Sequence, residues 1–394
     1  MSVEIRPLTF DDAEESRRLS LEAFGGFAGP LPELTPETWP PPGMQAWGAF
    51  DSGRMVAKVV NRIYDSWFGG RQVRTAGIAG VTVVAEHRGG GLLSGLFDAV
   101  LDLARGEGAE ISTLYPTAPG IYRTFGYELV GELLTLRIPL SSLATIRPAD
   151  GILLRRATVD DGPAVRATYD AWATQQNGPL TRRGISFPAT DAELIDAFTG
   201  ITLACSSAGD VLGYAMWNRG TGYDGTGGMD VDDLVALTPA AASELLRFFG
   251  GSSSVVAHVD LQTSGLDPAL LAIPQNWTQH RRRPYMLRLL DVPAALSARS
   301  WSVDARVPFS VTGHGLDGSF VLEVDQHVGR CSALDASATT AAPHFTSYGL
   351  GMLYAGTQSC ANLRFAGHLS GSTVHDPTLD ALFGGRQFHI RDYF

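Results

Sequence analysis

The chain has 394 residues, 44% hydrophobic and 18% charged, with a formal net charge of −11. That length predicts two or three domains, and no apolar run is long enough to cross a bilayer. So acidic a surface repels nucleic acid and anionic membranes and attracts cationic small molecules. MSVEIRPLTFDD lacks a charged-then-apolar signal pattern, so a cytoplasmic protein is expected. Cys205, Cys331 and Cys360 are scattered and odd in number, which argues against a disulfide framework. Neither they nor the nine histidines show metal-ligand spacing, so no metal is expected.

In chain order, Thr9 precedes an apolar-periodic run, and Asp12 can complete a capping arrangement at the helix start. A Gly/Pro-rich segment from Gly25 to Gly43 follows, flanked or occupied by Phe24, Phe27 and Trp39. Aromatics in such a loop either line a pocket mouth or pack beneath it. Met55 to Trp67 and Gln72 to Gly80 read as a hairpin turning at Gly69-Gly70. The second strand runs into Val81-Thr82-Val83-Val84.

At Glu86 the pattern changes. HRGGGLLSGL places Arg88 and Gly89-Gly90-Gly91 just before a helix whose apolar face is Leu93, Leu96, Phe97, Val100, Leu101 and Ala104. Glycines there let a ligand approach the backbone, and the free N–H groups with the helix dipole favour an anion such as a pyrophosphate. Arg88 adds a bidentate-capable charge. A strand from Ile111 to Tyr115 and the corner Gly120-Ile-Tyr-Arg-Thr-Phe-Gly-Tyr127 come next.

Arg88-x-x-Gly91-x-Leu93 resembles the R/Q-x-x-G-x-G/A acetyl-CoA loop of the GNAT acetyltransferases, and Tyr122-Arg-Thr-Phe-Gly-Tyr127 resembles their downstream tyrosine motif. Leu93 in place of a small residue is the pattern of the Eis-type (enhanced intracellular survival) branch. The resemblance implies acetyl-CoA as co-substrate, held by Val81, Thr82 and Val83 along the pantetheine arm. It also implies contacts from Arg88, Gly89, Gly90, Gly91, Leu92, Leu93 and Ser94 at the loop, and from Thr117 and Ala118 before the corner. Tyr122 takes the role of general acid, and Tyr127 reads as structural. Glu86 and His87 stand where some GNAT enzymes place a base. Eis-type enzymes use the C-terminal carboxylate instead, which makes Phe394 the expected base.

The second half restarts the pattern. Arg155-x-x-Thr158-x-Asp160-Asp161 repeats Arg6-x-x-Thr9-x-Asp11-Asp12, each before an amphipathic run. Asp233 to Phe249 repeats the strand and helix of the glycine loop, but with Pro239 and alanines where the glycines stood. That copy is not expected to bind coenzyme. From Arg283 to Trp301 a strand leads to a helix near Pro293. Strands are expected at Val307–Thr312, Gly318–Val324 and Gly329–Ala333, then a helix at Ser347–Tyr354. This resembles the sterol-carrier-protein-like domain of the Eis branch. Gly313-x-Gly-x-x-Gly318 leads into a strand, so it is a turn and not a dinucleotide fingerprint.

The expected fold class is therefore α/β (α+β): a GNAT domain (1–150), a degenerate GNAT-like domain (151–285) and a sterol-carrier-protein-2-like α+β domain (286–394). The resemblance implies transfer of acetyl to a cationic amine, such as an aminoglycoside or a lysine ε-amine of a protein, and assembly as a hexamer. The acceptor pocket would lie between the two GNAT modules, lined by Phe24, Phe27 and Trp39 and closed by Asp392. Two other readings remain open: a lipid or sterol carrier with an inert GNAT scaffold, and an acyltransferase for longer acyl-CoA donors.

Overall fold

The computed structural model describes residues 3–26, 33–223, 226–274, 277–339 and 342–394. Twelve strands form one sheet. They are β1 (Glu4–Pro7), β2 (Met44–Asp51), β3 (Arg54–Phe68), β4 (Arg71–Val83), β5 (Ile111–Leu114) and β6 (Glu128–Pro139), followed by β7 (Ile152–Arg156), β8 (Gly200–Ser206), β9 (Val211–Arg219), β10 (Gly228–Ala236), β11 (His258–Thr263) and β12 (Thr278–Leu289). Their order is β1-β2-β3-β4-β5-β12-β6-β11-β10-β9-β8-β7.

Each half holds an antiparallel run ending in one parallel pair, β4 with β5 and β10 with β11. The two central strands are exchanged. β6 follows β5 in sequence but pairs with β11, and β12 follows β11 but pairs with β5. β6 and β12 also pair with each other, from Glu128 to Arg137. Each module's sheet is thus closed by the other's last strand, and main-chain hydrogen bonds join the halves. The strand expected to open the C-terminal third is this β12; it belongs to the large sheet.

Helices cover the faces: α1 (Ala13–Phe24), α2 (Leu92–Gly106), α3 (Pro119–Arg123), α4 (Leu140–Leu143), α5 (Gly162–Ala173), α6 (Asp191–Asp196) and α7 (Pro239–Gly250). The repeated motif has a physical basis at both sites. Arg6 forks onto both Asp12 oxygens at 2.7 and 2.8 Å, and Arg155 onto Asp161 at 2.7 and 2.6 Å. The Thr9 and Thr158 N–H groups donate to those same carboxylates. One Asp therefore ends a strand and starts a helix in each module. On α2 the residues buried are Leu96, Phe97, Val100, Leu101 and Ala104, as the spacing predicts.

The C-terminal part comprises α8 (Val292–Ala298), β13 (Ala305–Thr312), β14 (Gly318–Asp325), β15 (Val328–Ala333), β16 (Pro343–Thr346), α9 (Ser347–Ala355), α10 (Cys360–Phe365), β17 (Leu369–Gly371) and α11 (Asp376–Phe383). Its five strands run in the order β15-β14-β13-β16-β17. The Gly313–Gly318 segment is a turn between β13 and β14, as its context requires. The interior is filled by side chains: the space among Leu296, Phe309, Leu322, Phe345 and Phe383 is about 10 Å3. That is room for about one water and not for a sterol. After α11 the chain returns to the segment that follows α5, where Asn177 N–H donates to Gln387 O and His389 N–H donates to Asn177 O. Among the described residues no helix is long and apolar enough to cross a membrane.

One buried charge stands out beside the first module's strands. Lys58 on β3 is buried and donates to Ser16 O, Ser16 Oγ and Ser20 Oγ at 2.6, 2.8 and 2.7 Å. Burial lowers its ammonium to about 8. The unfolded chain then holds more protons than the folded one between pH 8 and 10.5, so this group's contribution to stability rises with pH across that window. Below it the penalty is full, on the order of 3 kcal/mol. Lys58→Met should melt higher than the parent protein at pH 7.5, with the advantage shrinking towards pH 10; thermal denaturation at the two pH values checks this.

Candidate active site

β4 pairs with β5 only from Thr75 to Ile78. Beyond Ile78 it runs on to Val83 without β5, and opposite Val59 it carries a bulge at Gly80-Val81, with Gly80 at φ +56°. The backbone of Ala79 to Val83 therefore has an open edge on the β5 side, with no strand paired there among the described residues. An extended amide-bearing ligand arm can complete such an edge. The Val81 and Val83 side chains pack on the core beneath α2, while Thr82 is buried.

The strand ends at the glycine turn. Gly89 and Gly91 have φ +79° and +74°, and an added Cβ would meet no atom within 4 Å at either. Backbone conformation, not crowding, calls for glycine at these two positions, while Gly90 has an ordinary φ. Gly91 is the N-cap of α2 and no side chain caps the helix, so its first N–H groups are open to a ligand. Ser94 N–H turns back to Gly91 O, and Arg88 Nε donates to Val83 O at 3.3 Å. Leu92 and Leu93 pack partly into the core under the turn. These features fit a diphosphate and its arm.

The equivalent helix in the second module is closed. Thr238 caps α7 by accepting from Ala241 N–H at 3.2 Å, and Pro239 takes the first turn. Proline thus removes one of its first donors, and Thr238 takes up the next two that it can reach, at Ala241 and Ala242.

Tyr122 sits in α3, which starts at Ala118 as N-cap; Thr117, just before it, is exposed. The Tyr122 ring lies 6.1 Å from that of Phe97 and is only 6% exposed. Burial raises its phenol above the ordinary value, against a hydrogen bond with Thr117, so the group stays protonated at neutral pH. Tyr127 is fully buried and bonded to Ser112 Oγ at 2.6 Å, a structural position.

The chain's last residues come to this site. The Phe394 ring packs 5.0 Å from Tyr64 and 5.6 Å from Tyr115. It lies against Gly77 of β4, where an added Cβ would be 3.0 Å from Phe394 Cε2 and 2.6 Å from Tyr64. Gly77 is one residue before β4 parts from β5. Asp392 accepts at its main-chain O from Tyr115 Oη (2.8 Å) and at its carboxylate from Arg182 Nε (2.8 Å). Burial pushes the Asp392 carboxyl up, against the pull of Arg182.

A cavity of about 320 Å3 adjoins this tail, walled by α5, the 181–188 segment, β9, β10 and residues 391–393. Asp392 is on its wall. Phe24 and Trp39 are not: Phe24 is exposed at the end of α1, and Trp39 packs on the cluster of Leu8, Leu19 and Phe50. Phe27 lies outside the described residues. Aromatic and apolar surface on that wall comes instead from the 181–188 segment, with Phe187 and Pro188. Glu86 is exposed, and His87 faces Asp51 at 3.5 Å.

The three parts match known domain families. Residues 4–130 and 189–289 each match the acetyltransferase (GNAT) domain, and residues 292–391 match the sterol carrier protein domain. The chain thus carries two GNAT acetyltransferase domains followed by a sterol carrier protein domain, and N-acetyltransferase Eis is among its relatives. An uncharacterized N-acetyltransferase of Streptomyces coelicolor is 33% identical over 267 residues, a match spanning 62% of each chain. The N-acetyltransferase Eis of Mycobacterium tuberculosis is 26% identical over 317 residues, covering 75% of this chain and 74% of that protein. Among solved structures, the GCN5-related N-acetyltransferase from Kribbella flavida has a TM-score of 0.81 at 29% identity, covering 100% of this chain and 98% of that one.

Several site residues carried no local signal: Arg182, Asp232, Asp233 and Arg391 meet only in the folded protein. A carboxylate placed at the open start of α2 would repel a bound diphosphate. Gly91→Asp should therefore weaken acetyl-CoA binding about 10-fold or more, with the melting temperature lowered only by the strain of positive φ; calorimetric titration reads the first and thermal denaturation the second.

Proposed function

We propose that this protein transfers acetyl from acetyl-CoA to an amine of a cationic acceptor bound in the cavity between α5, β10 and the tail. The single observation that carries this reading is the convergence of both chain regions on one place. The open edge of β4 and the uncapped start of α2 provide a coenzyme grip, and Phe394 reaches the root of that edge at Gly77.

Acetyl-CoA, when bound, supplies the acetyl thioester. The α-carboxylate of Phe394 takes a proton from the acceptor ammonium, and the Tyr122 phenol donates one to the departing thiolate. The raised position of Tyr122 keeps its proton available until then. Tyr122→Phe should lower kcat by about 10²-fold or more with little change in acetyl-CoA affinity. Residues appended after Phe394 should abolish turnover without unfolding the protein; full activity of the extended chain would sink the carboxylate's role.

Charge pairing in the cavity supports a cationic acceptor. Arg166, Arg182, Arg183 and Arg391 each face a carboxylate already. Asp232 does not face a cation. It accepts only from Asn218 Nδ2 at 2.9 Å and Gln262 Nε2 at 2.7 Å, both neutral, and burial raises its carboxyl. Among the described lining residues it is the carboxylate with no cation beside it, so an incoming ammonium would complete it. Polyamines, aminoglycosides and lysine side chains all offer that group. Asp232→Asn should raise the acceptor KM by about 10-fold and leave the acetyl-CoA KM within about 2-fold, read by steady-state kinetics on a panel of these amines.

A further inference from the structure

We propose that the splayed strand of the second module, freed from coenzyme binding, has become the seat for the chain's own tail, with Arg391 as the positioning residue. The inference rests on the reading of Phe394 as proton acceptor.

The two modules share the geometry that makes a seat possible. β10 pairs with β11 only from Gly228 to Val231, as β4 pairs with β5 only to Ile78. Just past the parting β10 carries its own bulge, at Asp232 between Val231 and Asp233. Beyond that bulge the guanidinium of Arg391 takes what a ligand would take in the first module. Its Nη1 donates to Leu234 O and, at 2.8 Å, to Asp233 Oδ1, while Nη2 donates to Asp267. The Trp172 ring lies 4.1 Å from its central carbon. Arg391 is 4% exposed.

Asp233 also holds the next residue. Its Oδ2 accepts from Arg182 Nη1 at 2.5 Å and from Tyr214 Oη at 2.7 Å, and Arg182 Nε donates to Asp392 Oδ1. The charges thus alternate Asp267, Arg391, Asp233, Arg182, Asp392. Burial works to raise the Asp233 carboxyl, and Arg182 and Arg391 outweigh it and hold it at about 2. A buried ion network gains little net stability over apolar packing, because desolvation offsets the attraction. Its contribution is geometry: a planar guanidinium held at one nitrogen by Asp233 and the Leu234 carbonyl and at the other by Asp267 leaves one arrangement for the backbone that bears it.

From Arg391 to Phe394 the chain can span at most about 10 Å, so any slack at Arg391 is passed to the terminal carboxylate. A displacement of about 1 Å at a reacting group can cost about 10²-fold in rate. The seat lies in one module and the chemistry in the other.

The test uses the full-length protein with Arg391→Met, Arg391→Lys and Asp267→Asn. Acetyl transfer kinetics are read alongside hydrogen exchange of residues 387–394 by mass spectrometry. Arg391→Met should lower kcat about 10²-fold, keep the acetyl-CoA KM within about 2-fold and accelerate exchange in the tail only. Arg391→Lys, which keeps the charge but loses the planar two-nitrogen geometry, and Asp267→Asn, which removes the charge of one partner, should show the same pattern at about 10-fold. Both serve if Arg391→Met does not fold. Unchanged kcat with unchanged tail exchange overturns the seat, and so does a fall in kcat with the tail still protected. Faster tail exchange with unchanged kcat leaves the seat standing and overturns Phe394 as the base.

Discussion

Beyond Ile78, β4 continues without β5, and a run of main-chain donors and acceptors faces a gap instead of a neighbouring strand. Unpaired backbone groups away from water are costly, so such an edge persists where something else can complete it. The fold builds the same parting twice, after Ile78 and after Val231. The two partings are used differently. In the first module an uncapped helix behind Gly89 and Gly91 leaves donors free for a diphosphate. In the second, Thr238 and Pro239 close the helix, and Arg391 occupies the edge.

The exchange of β6 and β12 makes this division workable. Because each module's sheet is closed by the other's last strand, the two partings are held in one continuous sheet. A tail seated in one can then register its end against the other. The C-terminal domain, packed around Phe309, Phe345 and Phe383, returns the chain to the second module through Gln387 and His389, which bond to Asn177 beyond α5.

Features set by neighbours in the chain could be read from the sequence. The Arg6–Asp12 and Arg155–Asp161 forks join residues six apart, so their repeat showed as a motif and marked two modules. The α2 face and the hairpin at Gly69-Gly70 rest on periodicity and turn chemistry of the same short range. The strand exchange had no such signature, since β6 and β12 look alike whichever module they complete. Arg391 and Asp233 stand 158 positions apart, and nothing near either announces the pair. The aromatics Phe24 and Trp39 had the composition of a pocket mouth, yet Trp39 packs on Leu8, Leu19 and Phe50 and Phe24 is exposed. Composition cannot tell those two fates apart.

A chain that carries two copies of the coenzyme scaffold and keeps only one of them working should bind acetyl-CoA once. Isothermal titration of the intact protein with acetyl-CoA tests this directly. It should give one equivalent bound per chain. Two equivalents would mean that the α7 end still grips coenzyme despite Thr238, Pro239 and the seated Arg391, and no binding would mean that the glycine turn before α2 is not a coenzyme site; either result contradicts the division of labour between the two modules.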